Sequence, residues 1–93
     1  MKHRHMYIVE ICNEEEDGIR YIAIAEKTLT KEDITEHKTL TEKGKTKFGL
    51  SKLDTAKIVG FEEFDIDAKT LTARDCRNLE WTYVSKYHRW DCE

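Results

Sequence analysis

Proline is absent from this sequence, and glycine is scarce, with only Gly18, Gly44, Gly49 and Gly60. Lacking Pro- or Gly-rich stretches, the chain shows no linker composition, so residues 1–93 read as a single domain. Cysteines number three, Cys12, Cys76 and Cys92, and none forms a Cys-x-x-Cys pair. An odd, dispersed set argues against the disulfide framework of a small secreted domain and for reduced thiols in the cytoplasm. No run approaches the ~18 uncharged apolar residues of a membrane span, and no apolar signal region follows the N-terminus, so no membrane partner is expected. Residues 1–5, with His3 and His5, read as a candidate disordered leader. Arginine is missing between positions 21 and 73, which removes the bidentate base readers from the middle of the chain.

What is present describes a compact domain: 39% hydrophobic and 38% charged residues, nine aromatics, and a net charge of -3. That composition supports one modest core and disfavours disorder. A hairpin of strands 6–12 and 19–26 follows from the alternation of Tyr7, Val9 and Ile11 and of Ile19, Tyr21, Ala23 and Ala25, with Asp17-Gly18 supplying turn residues. Three hydroxyl-x-x-acid strings read as helix starts: Thr30 with Asp33, Ser51 with Asp54, and Thr72 with Asp75. They predict short helices over about 31–38, 52–59 and 73–84 or longer. The last competes with a strand reading, because Leu79, Trp81 and Tyr83 alternate with Glu80 and Thr82. Segments 39–41 and 46–50 are candidate strands joined across 42–45, and 61–67 is another, with Phe64 and Ile66 inward. The expected fold is α+β: a small single-layer, mostly antiparallel sheet of three to five strands packed by two or three short helices. The string Lys-Thr-Leu-Thr recurs at 27–30, 38–41 and 69–72. Its unequal spacing excludes a solenoid and suggests a strand exit that places a threonine at a helix cap.

Charge is segregated. Residues 10–26 and 58–69 are acidic, and 27–57 carry eight lysines against five acids. On a hairpin tip, Lys43, Lys45, Lys47 and Lys52 would contact phosphates in a salt-sensitive, sequence-blind manner. With Phe48 the only nearby ring and a pI near 5.8, an exposed soluble hairpin is the more ordinary reading. Gly44-Lys45-Thr46 resembles the end of a phosphate-binding loop, but Thr39 stands where the earlier glycine is needed. Glu14, Glu15, Glu16 and Asp17 fit a surface that meets a basic groove on a partner, beside the plainer reading of a solvated turn. Neither acidic cluster has the spacing of a calcium loop. No cofactor is expected, nor a metal, since His3, His5, His37, His88 and the cysteines supply no two close pairs. Neither Ser51 nor Ser85 lies in a nucleophile elbow, so no catalytic residue is assigned.

The tail concentrates Trp81, Tyr83, Tyr87, Arg89 and Trp90, the residue types favoured at interface hot spots; packing within the core is the competing reading. Leu79-x-Trp81-x-Tyr83 followed by Arg89-Trp90-Asp91-Cys92 is similar to the C-terminal end of a small phage-encoded anti-CRISPR protein of the type I kind. The resemblance is confined to residues 79–92. It implies a non-catalytic inhibitor that occupies a nucleic-acid-binding surface on a host complex, and it favours strands in the tail. The functional expectation is therefore a small non-catalytic intracellular protein-interaction module, extending to a phage or mobile-element inhibitor of a host nucleic-acid-handling complex. Its partner would be another protein or a protein–nucleic-acid complex, with a homodimer left open. The alternative is a nucleic-acid-binding domain that uses the 38–57 hairpin.

Overall fold

A computed structural model describes residues 2–15 and 18–92. The fold is a closed antiparallel barrel of six strands: β1 (Lys2–Asn13), β2 (Ile19–Ala25), β3 (Asp54–Asp67), β4 (Thr72–Arg74), β5 (Glu80–Val84) and β6 (Arg89–Cys92), ordered β1-β2-β6-β5-β4-β3. One short helix, α1 (Glu42–Lys47), interrupts the strands. The α+β expectation is thus corrected to an all-strand barrel, and the three expected helices are absent.

Each correction has a local cause. Over 31–38, Ile34 bridges Leu40 around a turn, with Thr35 N–H donating to Thr39 O. A two-turn helix is marginal alone, and threonine and aspartate side chains offer the backbone other partners. Residues 54–59 belong to β3, as β-branched Thr55, Ile58 and Val59 prefer. Residues 73–84 hold the end of β4, a turn and β5, so the period-2 pattern around Trp81 prevailed. The expected hairpin across 39–50 is replaced by α1, capped by Thr41 Oγ1, which accepts from Gly44 N–H at 3.1 Å. Gly44 sits there because a Cβ would come within 2.4 Å of Asp33 O.

Two of the three hydroxyl-x-x-acid strings nevertheless mark real turns, whereas Thr72–Arg74 is strand β4. Thr30 N–H donates to Asp33 Oδ2 at 3.0 Å and Ser51 N–H to Asp54 Oδ2 at 2.9 Å, the reach-back half of a capping box. The chain then leaves the turn extended. Asp33, Asp54 and Asp75 are the buried charged residues among those described. The Lys-Thr-Leu-Thr copies take three different conformations: a 3-10 turn ending at Thr28, a bridge on β3 at Thr39, and a turn leading into β4.

The expected hairpin of the first two strands forms, with Met6 opposite Ala25 and Cys12 opposite Ile19. Lys2–His5, read as a leader, are the first part of β1 and pair with β3. The β1–β3 register shifts between Ile8 and Val9, which oppose Gly60 and Ile58 and leave Val59 as the extra residue. Such a bulge reverses which residues face inward. Before it, Ala56 and Ile58 join Val9, Ile11, Ile22, Ile24, Leu40 and Phe48 in a core outside the barrel, under α1 and its loops. After it, Phe64 and Ile66 face the barrel interior with Met6, Ile8, Trp81 and Trp90. Phe64 and Trp81 meet edge to face at 5.3 Å, and truncating either ring would cost about 3–5 kcal/mol. One sheet therefore carries apolar residues on both faces, the reason its strands lack a simple alternation. No helix among the described residues is long and apolar enough to cross a membrane.

Candidate functional site

The tail's rings are largely spent on the barrel. Trp81 is 1% exposed and Trp90 4%. Half-buried Tyr83 packs its ring 4.8 Å from that of Trp90. Arg89 donates to Phe48 O at 2.6 Å and Asp91 Oδ1 at 2.9 Å, and its guanidinium lies 5.2 Å from the Tyr87 ring centroid. Tyr87 in turn covers Gly49, where a Cβ would meet the ring at 2.5 Å. Tyr87 and Arg89 therefore clamp the end of α1 to β6, and the five residues form no shared exposed patch. Glu14 and Glu15 are exposed at the β1–β2 tip; Glu16 and Asp17 lie outside the described residues.

The lysines are also engaged. Lys43 pairs with Glu32, Lys45 Nζ donates to Lys52 O and Asp54 O, and Lys47 Nζ donates to Thr28 O and Asp33 Oδ2. Lys52 is exposed in the turn before β3. They sit on a helix and its loops, not on a hairpin tip. Burial pushes the Asp33 carboxyl up, but Lys47 and the Thr30 backbone and hydroxyl outweigh it and hold it below its ordinary value. Lys45 and Lys47 are thus tied to local carbonyl and carboxylate groups, while Lys43 and Lys52 remain largely exposed.

One exposed apolar stretch lies beside the bulge, apart from the exposed Ile19, Leu53 and Leu71. Val59 is 49% exposed and Phe61 46%, and large apolar side chains rarely gather on a surface without use. Two half-open cavities flank this stretch, and Val59 and Gly60 line both. The first, about 430 Å³, opens toward the barrel interior between Ile8, Tyr21, Arg77, Leu79 and Trp81. The second, about 360 Å³, lies on the outer face between Tyr7, Ile34, Lys38, Ile58 and Phe61. On that face the Phe61 ring stacks 5.2 Å from His5 and 4.7 Å from Tyr7.

Sequence reasoning placed Phe61 on a strand but missed Tyr7, Val59, Phe61 and Leu79 as a surface. A usable signal was Gly60 inside an apolar run, since glycine within a strand marks a bulge or close approach; the helix reading of 52–59 concealed it.

The site's polar chemistry is sparse. Cys76 Sγ donates to Glu62 Oε1 at 2.7 Å, and that carboxylate, with some burial, holds the thiol above its ordinary value. A thiol so placed is protonated at neutral pH and is a poor nucleophile. Among the described residues no group of three potential ligands is placed to hold a metal. Comparison with protein-family models, curated proteins and solved structures finds no match.

Proposed function

We propose that this protein is a small non-catalytic protein-interaction module that engages its partner through the apolar face at Val59–Phe61. The observation that carries the reading is the pair of cavities meeting at one exposed strand segment, lined by apolar and aromatic side chains together with Glu62, Arg77 and Lys38. Interfaces are built around buried aromatic and aliphatic anchors, and the cavities offer receptors for such anchors. The Glu62 carboxylate, which holds the Cys76 thiol above its ordinary value, supports the non-catalytic part. The narrower reading, an anti-CRISPR-like inhibitor of a host nucleic-acid-handling complex, rests on the tail resemblance alone, and the two tryptophans that carry it are packed in the barrel.

The test compares capture from lysate by the immobilised protein, a Val59→Ser/Phe61→Ser variant and a Glu14→Ala/Glu15→Ala control. A protein retained by wild type and control but lost from the first variant is the expected result. Equal capture by all three refutes this face, and no capture by wild type refutes the interaction reading.

A further inference from the structure

The wall of the barrel is incomplete beside the exposed apolar segment. Apart from the bulged Val59, β3 pairs with β1 along one edge from Asp54 to Ile66. Along its other edge, β4 pairs only with Asp65–Asp67, and the 38–40 segment pairs at the far end, through Thr39 opposite Lys57. Among the described residues no backbone hydrogen bond reaches residues 59–64 from that side.

The direction of the free groups follows from the strand itself, because side-chain face and amide direction alternate together. Ala56 and Ile58 face the outer core, and their backbones point away from β1: Ala56 O accepts from Leu40 N–H at 2.8 Å, and Ile58 N–H donates to Lys38 O at 2.9 Å. Beyond the bulge, Phe61 and Glu63 take the outer face, Phe61 against Tyr7 and Glu63 beside His3 Nδ1 at 3.0 Å. Their N–H and C=O groups therefore point into the gap between Lys38 and the turn that follows Arg74, whose Cys76 Sγ reaches Glu62 Oε1 at 2.7 Å. At roughly 3.3 Å per residue the gap admits a strand of about four or five residues. One cavity lies on each face of the opening.

We propose, building on the interaction reading above, that the β3 edge at Phe61 and Glu63 is a receptor for an extended peptide segment of a partner, which adds as a strand antiparallel to β3. Main-chain hydrogen bonds to Phe61 and Glu63 supply affinity, and the two cavities take alternate apolar side chains. The flanking β4 and 38–40 segments already run antiparallel to β3, which sets the direction: the peptide enters beside Glu63 and leaves beside Lys38. Charge complementarity then selects a basic residue at its start and an acid or terminal carboxylate at its end. A second copy of this chain is disfavoured as occupant, because antiparallel β3 edges would bring Glu62 and Glu63 of the two copies together, and like charges across strands destabilise.

The probe is a displayed library of random decapeptides, with enriched peptides resynthesised. Expected are peptides with apolar residues two apart, a lysine or arginine before them and an acid after. N-methylation of the amides paired with Phe61 and Glu63 should weaken binding about tenfold or more, and hydrogen exchange at Phe61 and Glu63 should slow in the complex. Phe61→Pro removes one edge donor while leaving the β1 side intact, as proline at an open edge can, and should weaken binding similarly. Glu63→Lys keeps the amide and should select against the leading basic residue; buried tryptophan emission verifies the fold of both. Peptides that bind with unchanged affinity after N-methylation, or that protect other amides, overturn strand addition and leave the interaction reading standing. So does a library that enriches nothing while capture still depends on Val59 and Phe61. Concentration-dependent dimerisation abolished by Phe61→Pro would overturn it in favour of self-association.

Discussion

Asp75→Ala is the perturbation with the most closely determined outcome. The carboxylate is fully buried; Oδ1 accepts from Arg77 N–H at 2.9 Å and Leu79 N–H at 3.0 Å, and Oδ2 from Trp81 Nε1 at 3.1 Å. The Arg77 guanidinium, 3.6 Å away and mostly exposed, adds little. Removal of the carboxylate leaves three donors. Arg77 and Leu79 lie in an exposed turn and can recruit water, whereas the Trp81 indole is enclosed. One orphaned buried donor plus a loosened turn should cost about 2–4 kcal/mol, or a Tm lower by about 10–20 °C in a domain of this size. Asp75→Asn keeps one acceptor and should lose about half as much.

The pH dependence supplies a sign. Burial pushes the Asp75 carboxyl up, but the Leu79 N–H, the indole, the Arg77 N–H and the Arg77 charge outweigh it and leave it below its ordinary value. A group depressed in the folded state contributes stability above its unfolded value near about 4, and that contribution is lost as pH falls through the folded value. The gap between wild type and Asp75→Asn should therefore narrow below about pH 4. Urea unfolding followed by tryptophan emission measures all three proteins. A loss below about 1 kcal/mol for Asp75→Ala, or a gap that widens in acid, would refute the account.

Lys47→Ala strands the buried Asp33 carboxylate and should cost about 2–4 kcal/mol, while Lys43→Ala, in an exposed pair with Glu32, should leave the urea midpoint essentially unchanged. Gly49→Ala forces a side chain at φ +73° into the Tyr87 ring and should cost at least about 2 kcal/mol, and Gly49→Ala/Tyr87→Ala should recover part of that loss. Binding to duplex DNA, measured at about 50 and 200 mM salt, should be weak at both, and tight binding that the Lys43, Lys45, Lys47 and Lys52 alanine variants abolish would reinstate the nucleic-acid reading. Both tryptophans should emit blue-shifted and resist quenching by acrylamide, and an exposed emission spectrum would contradict their burial.

The site was hidden in the sequence for a specific reason. Its defining feature is an edge without a neighbour, and a missing neighbour leaves no residue signature. Ile58-Val59-Gly60-Phe61 reads equally well as a helix end or a strand, and only the β1–β3 register shows that Val59 is the bulged residue. Likewise the ring-rich tail carries interface-type residues whether it is a surface or a core. Closure of the barrel put Trp81 beside Phe64 and spent Arg89 on Phe48 O.

Local chemistry alone determined the first hairpin, because alternation and a turn residue act over a dozen positions. It also determined the tight turns at Thr30–Asp33 and Ser51–Asp54, whose hydrogen bonds span three residues. Tertiary structure decided whether those turns continue as helix, which cores the two faces of β1 serve, and which stretch of β3 is left open. Each of these depends on burial and pairing between segments far apart in the chain, where non-local contacts outweigh the small energies of local preference.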